Sequence, residues 1–442
     1  MPVFKFAFKR HAWLMLCLLC SASMYWYWSR LPHDSALTPA ATDMIRAKPL
    51  TDLFQPWYAS REFLLRHRDP YGPEVTREIQ EAFYGKQLQP GAAQVSNEQQ
   101  FAFAYRFAYP LYVVFLLAPT IAMDYRTAQM VVWWVLAAAT VLSMTFWLLA
   151  LRIRVSLAGF VGLSMVVVTS LPAMQGLNLR QLGLLVAGLI AAAAASTVAG
   201  HLFLAGALLA LATIKPQLAL LPIAWFALWA LAEWRQRRAL AWGFALALSV
   251  LLLSAEFLLP GWLVRFEGAL REYAKYTGGA SLTGMLLPLG LRWLAFAVGG
   301  LATTTFCWRA RRSSADPDSF ILALALVLNL SLLIMPTVVA SYNQVLLLPA
   351  ALLVAGRWSR LWAGGNAIRV SSAFLCTFAL LPWFLVLGLA VASTLAPGRI
   401  TSISLVPAYA GLGLPFASFG LLVLLGRAIG RRGEECPATK QG

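Results

Sequence analysis

Charged residues are scarce in this chain. Only 12% of its 442 residues are Asp, Glu, Lys or Arg, whereas 60% are hydrophobic. Soluble domains are about 25% charged and about 45–50% apolar. The shortage of charge therefore excludes an ordinary soluble protein and indicates a polytopic, all-α integral membrane protein. We expect one transmembrane domain over residues 1–442, whose length reflects the number of spans.

Cysteine and histidine are also few, with five and four residues respectively. A redox motif of the Cys-x-x-Cys type needs a βαβ context, which this chain lacks, so we interpret the cysteines as small apolar packing residues. The histidines are not clustered with carboxylates. The sequence thus predicts no disulfide framework, no metal site and no cofactor. The cysteines are Cys17, Cys20, Cys307, Cys376 and Cys436.

Positive charge is in excess, and the formal net charge is +17. Most of this excess falls in short arginine clusters between apolar runs, which is the positive-inside pattern of membrane proteins. It is a topology signal and gives no reason to expect nucleic acid as a partner. We expect both termini and these clusters to be cytoplasmic: 152–154, 235–238, 309–312, 357–360 and 427–432.

Apolar runs predict about twelve membrane spans. The first follows Lys5, Lys9 and Arg10 and ends in an aromatic cluster, Tyr25–Trp28, which is typical of an interfacial anchor and not of a cleavage site. We therefore expect an uncleaved first span. The other runs are 128–151, 155–172, 181–199, 202–214, 216–232, 239–259, 283–306, 319–335, 343–356, 370–394 and 407–426.

Residues 30–107 form the long polar segment of the chain. Because the N-terminus is predicted to be cytoplasmic, this segment is expected to be an external loop that carries juxtamembrane helices. The next apolar run, 108–122, is shorter than the about 20 residues that a span requires. Counting it as a span would also place Arg152 and Arg154 outside. We therefore interpret it as a half-helix that enters the membrane from the external face.

Several later spans are short and are interrupted by polar breaks. Pro216 follows Lys215 and lacks a backbone N–H, so it is expected to end the helix of the preceding apolar run, 202–214. Similar breaks are "LPAMQGLN", followed by Arg180, and "IMPTVVASYNQ". The predicted topology places all of them at the external face. Irregular backbone at membrane depth persists only where it is buried in protein or lines a wet cavity, so we expect a cavity that opens outward.

The stretch "TDLFQPWYASREFLLRHRDPYGP", residues 51–73, concentrates charge in an otherwise apolar chain. Pro56 suits the first turn of a helix, and we expect a helix over about 56–67. Its apolar residues favour a position on the membrane surface. They are Trp57, Tyr58, Phe63, Leu64 and Leu65.

Two aspartates flank that helix, and each has two interpretations. Asp52 is either the helix cap or a catalytic carboxylate. Asp69 precedes Pro70 and is either a turn initiator or catalytic. A helix between them holds the carboxylates about 20 Å apart, which is wider than the roughly 5–10 Å of a paired acid and base. We therefore do not expect the two to act as a pair.

Several motifs together resemble glycosyltransferase family 87, whose members have the GT-C architecture and use polyprenyl-phosphate-linked sugars as donors. The resemblance implies a GT-C-like fold, inverting displacement at the anomeric carbon, and Asp52 as the catalytic base. At the last of these motifs the chain reads Ser341-Tyr342-Asn343-Gln344, where the resemblance implies a histidine. The motifs are the 51–73 stretch, "FAYPLYVVFLLAP", "LPAMQGLNLRQ", "ALATIKPQLALLP" and "IMPTVVASYNQVLLLP".

The leaving phosphate of such a donor requires cations where negative charge develops. Lys215 is the first candidate and Arg180 the second, although a snorkelling lysine and an ordinary loop arginine are the structural alternatives. For Glu256 a structural pairing is expected. Polar residues at the breaks are further candidates for substrate or phosphate binding: Gln217, Tyr342, Asn343, Gln344 and Tyr109.

The sequence therefore predicts a plasma (inner) membrane hexosyltransferase, for example a mannosyltransferase, that works at the external face on a glycolipid or glycan acceptor. A transporter or flippase for lipid-linked saccharides is the alternative, because broken helices and intramembrane charges suit that class too. An oligosaccharide ligase or polymerase is a third hypothesis, although its large loop would more usually come late in the chain.

Overall fold

The computed structural model describes residues 10–30, 50–84, 105–277, 283, 287–334, 341–396 and 406–434. Within these ranges every regular element is a helix, so the predicted all-α class is confirmed. Parts of the predicted external loop, 31–49 and 85–104, lie outside the described residues. So do residues 335–340 of one polar break, both chain ends and Cys436.

The described helices follow one another closely along the chain. Two 3-10 turns, Ala118–Thr120 and Ser341–Leu347, precede α5 and α15. The α-helices are α1 (Arg10–Arg30), α2 (Phe54–Arg66), α3 (Pro73–Tyr84), α4 (Val113–Leu117), α5 (Tyr125–Ala150), α6 (Leu157–Thr169), α7 (Leu171–Leu179), α8 (Gly183–Val198), α9 (Leu202–Ala212), α10 (Pro216–Ala232), α11 (Trp234–Leu258), α12 (Trp262–Thr277), α13 (Leu289–Ala310), α14 (Phe320–Ile334), α15 (Leu348–Gly356), α16 (Trp358–Trp362), α17 (Asn366–Leu395), α18 (Val406–Gly411) and α19 (Leu414–Glu434).

Five of the described helical segments are long and apolar enough to cross a membrane: α5, α11, α13, α17 and Val406–Gly430. A sixth results if α6 and α7 together form one bent span. Helices α8, α9, α10 and α14 and the segment Ser341–Gly356 are apolar but shorter, at 10–17 residues. The protein is therefore a helical membrane protein, and the count of about twelve spans stays a prediction.

Helices α6 and α7 meet at an angle of 61°. Ser170 leaves the helical conformation, with φ −58° and ψ 146°, and Pro172 lies in the first turn of α7. Proline lacks the N–H that would continue the preceding helix, so a helix before it usually ends. The "LPAMQGLN" segment is thus itself a short helix that follows a sharp bend.

The core of the bundle lies around α8 and α14, both buried along most of their length. Helix α8 packs between α5 and α9, and α14 packs against α10, α13 and α19. The Phe320 ring at the start of α14 contacts the Trp225, Phe226 and Trp229 rings of α10, with centroid distances of 4.9–5.6 Å. Helices that are apolar on all sides are expected in such a position.

Helices α9 and α11 cross at two glycines. A Cβ atom on Gly206 would lie 2.0 Å from the Leu240 carbonyl oxygen, and one on Gly243 would lie 2.0 Å from the Phe203 carbonyl oxygen. No side chain fits at either position. Small residues allow backbones to approach closely, which is how membrane helices gain van der Waals contact.

The predicted helix over about 56–67 is present as α2, but part of the apolar face expected to lie on the membrane surface is buried in the protein. Trp57 is only 3% exposed, and its indole N–H donates to the Thr120 carbonyl over 3.2 Å. Phe63 is buried as well, whereas Leu65 is exposed. The apolar face of α2 therefore packs inside the protein, because a neighbouring segment, from α4 to the start of α5, covers it.

Two further segments, residues 108–122 and helix α12, can be compared with the predicted elements. Residues 108–122 contain only α4 and the adjoining 3-10 turn, in line with the expected short helix. Helix α12 is not among the predicted elements. Polar and apolar residues are mixed in its sequence, which gives no long apolar run: "WLVRFEGALREYAKYT". Its Trp262 is buried, and the Trp262 and Phe266 rings extend the aromatic contacts around Tyr71 and Tyr112.

We expect Gly206→Ala to destabilise the protein by about 1–3 kcal/mol, the usual scale for overpacking. Alanine is otherwise the better helix former by about 1 kcal/mol, so the clash with Leu240 must outweigh that gain. Thermal unfolding of the purified protein in detergent measures the effect. Gly300→Ala in α13 is the matched control, since nothing lies within 4 Å of its Cβ position. Equal stability of the two variants would contradict the close crossing.

Candidate active site

Asp52 lies just before α2, but it does not cap that helix. The N-cap position is Leu53, which makes no side-chain cap bond. The Phe54 N–H instead donates to the Thr51 carbonyl over 2.8 Å. The Asp52 carboxylate accepts a hydrogen bond from the Gln181 side-chain amide. The capping interpretation of Asp52 is therefore wrong, and its carboxylate faces a different part of the chain.

The segment that carries Asp52 is fixed on both sides of that residue. The Tyr125 hydroxyl at the start of α5 accepts from the Thr51 N–H over 3.1 Å and lies 2.8 Å from the Thr51 hydroxyl. On the other side, Leu53 is buried and Trp57 is tied to the Thr120 carbonyl. Residues on both sides of Asp52 are thus held against the α4–α5 region, which sets the depth of the carboxylate.

Gln181 enters the site because α7 ends in a left-handed turn. Arg180 has φ 54°, and the Gln181 N–H donates to the Gly176 carbonyl over 2.8 Å. This 6→1 bond is typical of the Schellman helix end. The turn directs the chain toward α8, and Gln181 within it is only 5% exposed. Its side-chain carbonyl accepts from the Lys215 ammonium group, so one amide joins Lys215 to Asp52.

Lys215 occupies the break between α9 and α10, as its sequence predicts. Pro216 begins α10, so α9 ends and the lysine stands at the N-cap position of the next helix. The lysine is only 5% exposed. Besides the bond to Gln181, its nitrogen lies 5.2 Å from the centroid of the Tyr342 ring. A cation held this close to an aromatic face is stabilised by the ring's electron density.

Asn343 approaches the same point from the third polar break. A Cβ atom on Gly183 would lie 3.3 Å from the Asn343 Oδ1 and 3.6 Å from the Lys215 Nζ. The Asn343 and Lys215 side chains therefore both lie close to Gly183, the first residue of α8, which has no side chain of its own. Asn343 is 5% exposed, and its Oδ1 has no hydrogen-bond partner among the described residues. A buried polar atom without a partner is costly in a folded protein and calls for an explanation; a bound ligand would supply one.

Three tyrosines lie near enough to Asp52 to be affected by its charge. Tyr109, Tyr273 and Tyr342 each interact electrostatically with Asp52. Burial, with the carboxylate adding to it, raises the pKa of the Tyr109 hydroxyl. Tyr109 therefore stays protonated at neutral pH and can donate a hydrogen bond. The Tyr109 main chain is fixed by the Tyr71 hydroxyl, which donates to its carbonyl over 2.8 Å.

The structure thus brings together five of the predicted site residues and leaves others apart. Arg180 stays close by, since it interacts electrostatically with Tyr125. Gln217 is exposed on α10, and the Gln344 amide donates to the Gly411 carbonyl over 3.0 Å. The five are Asp52, Lys215, Tyr342, Asn343 and Tyr109.

The other acidic candidates have structural surroundings. The Asp69 carboxylate accepts from the Tyr71 N–H over 2.9 Å, which is the Asx turn expected of an Asp-Pro sequence, and it also pairs with Arg265 of α12. The Glu256 carboxylate accepts from the Gly261 N–H over 2.7 Å. Glu256 thus stabilises the end of α11, as the expected structural role implies. The hydrogen-bond partner of Lys215 is Gln181.

Much of the remaining charge in the 51–73 stretch joins α2 to α3. Arg68 donates to Glu62 over 2.8 Å and to Glu78 over 2.9 Å, and the Tyr58 hydroxyl also donates to Glu78. Glu62 is only 1% exposed, so its charge requires this pairing. The Arg68 guanidinium holds the pKa of the Glu78 carboxyl below its ordinary value. This network supports the helix that follows Asp52.

Sequence reasoning missed Gln181 and Tyr273 as site residues. Gln181 stands next to Arg180 in the turn between α7 and α8, and a polar residue at the start of an apolar run is the signal that could have found it. Tyr273 lies on α12, which no apolar run revealed. Its interaction with Asp52 depends on how α12 packs over the site, and that packing has no local sequence signature.

The structure contains an apolar cavity of about 920 Å³. Its wall includes Leu184, which follows Gly183 after α8 begins, and Gln344 and Val345, which follow Asn343. The rest of the wall is almost entirely apolar and comes from several helices. An apolar cavity suits a lipid tail, and the chain neighbours of Gly183 and Asn343 in its wall bring it near the segments that carry the polar cluster. Other lining residues include Trp13, Leu163, Trp383 and Leu421.

The comparisons with known proteins agree with this description. A glycosyltransferase family model matches residues 107–336, just over half of the chain, so this helical membrane protein is a membrane glycosyltransferase. The family is glycosyltransferase family 87, and the chain belongs to it. Searches of curated proteins and of solved structures give no match.

The family match covers only part of the site. Gln181, Lys215 and Tyr109 lie within residues 107–336, whereas Asp52 precedes them and Asn343 follows them. The hydrogen bond from Gln181 to Asp52 connects the matched segment with the preceding one. The site is therefore completed by residues on both sides of the match.

Proposed function

We propose that the protein transfers a hexose, such as mannose, from a polyprenyl-phosphate-linked donor to a glycolipid or glycan acceptor, with inversion at the anomeric carbon. The observation that carries this proposal is a pair of hydrogen bonds, in which the Gln181 amide donates to Asp52 and accepts from Lys215. It provides a carboxylate and a cation in one buried site of a family 87 glycosyltransferase. These are the two groups that such a displacement requires.

In the proposed step, the acceptor oxygen forms a bond to the anomeric carbon while the bond from that carbon to the phosphate oxygen breaks. The acceptor's proton passes to the Asp52 carboxylate, which acts as general base. The bonding electrons leave with the polyprenyl phosphate, whose developing negative charge is stabilised by Lys215. The Tyr109 hydroxyl and the Asn343 amide are placed to bind sugar or phosphate oxygens.

The apolar cavity supports a lipid-linked donor. A polyprenyl chain keeps its sugar in the membrane. The enzyme must therefore bind the apolar chain and the polar head of the donor at neighbouring sites. The cavity wall contains Leu184, the chain neighbour of Gly183, and Val345, which lies two residues after Asn343. A nucleotide sugar offers no apolar chain to fill it. Transfer assays therefore compare a polyprenyl-phosphate sugar with the corresponding nucleotide sugar, and activity with the second alone would contradict the proposed donor.

We further propose that the site opens at the external face of the plasma membrane and that both termini are cytoplasmic. The proposal follows the positions of the arginine clusters. In a cysteine-free background, an impermeant thiol reagent should label Ser96→Cys in intact cells. Ser314→Cys, beside the 309–312 cluster, should be labelled only after permeabilisation. The opposite pattern would invert the topology and move the site to the cytoplasmic face.

We expect Asp52→Asn to lose at least about 100-fold of transfer activity, the lower scale for removing a general base. Asparagine keeps the shape and can still accept the bond from Gln181, but it cannot take the acceptor's proton. The measurement is sugar transfer from a polyprenyl-phosphate donor by purified variants of matched thermal stability. Asp69→Asn is the comparison. Near-normal transfer by Asp52→Asn would end the assignment, and a large loss in Asp69→Asn would then transfer the role to Asp69.

For Lys215→Met we expect a loss of about 10²–10³ in turnover, the scale for one group that stabilises developing charge. Methionine keeps most of the length and removes the charge. Because a buried charge is replaced by an apolar group, stability should not fall in parallel. Arg180→Met is the second variant. If Lys215→Met retains turnover while Arg180→Met loses it, the phosphate is held by Arg180.

A further inference from the structure

We infer that Gln181 is a positioning residue of this site: its amide orients the Asp52 carboxylate for proton transfer and keeps it apart from the Lys215 ammonium group. The inference rests on the proposed function, in which Asp52 is the base. Neither the family resemblance nor the sequence motifs assign Gln181 a role. The geometry points to one because a single buried side chain contacts both charged groups.

Both ends of the Gln181 amide are in use, and each in a fixed sense. The Nε2 group donates to the Asp52 carboxylate, and the Oε1 atom accepts from the Lys215 ammonium group. A flipped amide would place its carbonyl against the carboxylate and its NH₂ group against the ammonium group, which is unfavourable at both ends. The surrounding charges therefore determine a single orientation of the amide.

The backbone of Gln181 is fixed as firmly as its side chain. Its N–H donates to the Gly176 carbonyl over 2.8 Å, and its own carbonyl accepts from the Leu184 N–H over 3.1 Å. These bonds tie it to the end of α7 and the start of α8. Gly183, two residues on, leaves the space that Lys215 and Asn343 occupy. Gln181 is thus held between two helices.

The position of Gln181 affects what Asp52 can do. A direct ion pair between Lys215 and Asp52 would bind the cation to the base and away from the phosphate. With the amide between them, each group keeps its charge for its own part of the reaction. The N–H donated by Gln181 favours the ionised carboxylate. Other groups that interact electrostatically with Asp52 are Lys215, Tyr109, Tyr125, Tyr273 and Tyr342, and Arg180 lies beside Tyr125.

The test is the pH dependence of kcat/KM for Gln181→Met, with a polyprenyl-phosphate sugar as donor. Methionine keeps the bulk between Lys215 and Asp52 but cannot donate to the carboxylate. Without that hydrogen bond the carboxylate takes up a proton more readily. We therefore expect the acid limb of the profile to move to higher pH by about one unit, the scale of one hydrogen bond to a charged group. The donor's phosphodiester does not titrate in this range.

Two controls separate positioning from a structural role. Gln175→Met removes a second buried glutamine, which lies in α7 and accepts a hydrogen bond from Ser341 instead of contacting Asp52; the acid limb of this variant should not move. If Gln181→Met does not fold, Gln181→Glu replaces it. Its carboxylate repels Asp52, so the acid limb should again move upward. The double variant Asp52→Asn/Gln181→Met should transfer sugar no more slowly than Asp52→Asn alone, since residues that act together are not additive.

The outcomes for Gln181 and for the proposed function are distinguishable. If Asp52→Asn is inactive and the acid limb of Gln181→Met coincides with that of the wild type or moves to lower pH, the inference about Gln181 is wrong and Asp52 stays the base. A further loss in the double variant would contradict it as well. If Asp52→Asn transfers sugar at a near-normal rate, the assignment of Asp52 as base fails, and the inference about Gln181 fails with it. If the wild-type protein transfers no sugar from the polyprenyl-phosphate donor, the proposed function fails.

Discussion

A buried ammonium group requires a partner, and in this protein the partner of Lys215 is an uncharged amide. Removing a charge from water is costly unless it is paired or hydrogen-bonded. Gln181 meets that need without neutralising the lysine, and its other end reaches Asp52. The two hydrogen bonds bring three distant segments to one point: the coil before α2, the turn between α7 and α8, and the break between α9 and α10.

The charged residues of the 51–73 stretch have three separate roles. Asp52 belongs to the site, while Glu62 and Arg68 join α2 to α3, and Asp69 forms a turn that pairs with Arg265 of α12. The last pair brings α12 close to the aromatic cluster around Tyr71, and α12 in turn carries Tyr273 toward Asp52. The supporting contacts are therefore as important to the position of Asp52 as its own hydrogen bond.

Local patterns predicted the elements of the fold, and tertiary contacts decided the details. Apolar length predicted most helices, and Pro216 marked the break at Lys215, because these signals reside in a few neighbouring residues. Helix α12 escaped prediction because its amphipathic sequence has no apolar run. The cap interpretation of Asp52, one of two that the sequence allows, is wrong because Leu53 occupies the N-cap position of α2 and the Asp52 carboxylate accepts from Gln181. Neither the burial of Trp57 nor the partner of Lys215 can be derived from a single segment.

The order of these residues along the chain has a consequence for biosynthesis. Asp52 emerges from the ribosome first, Gln181 much later, then Lys215, and finally Asn343. When the lysine is synthesised, the glutamine whose amide accepts its hydrogen bond has already been made. The pocket itself stays incomplete until nearly four-fifths of the protein has been made. A nascent chain that ends before Asn343 would therefore carry the carboxylate, the amide and the lysine without the finished pocket.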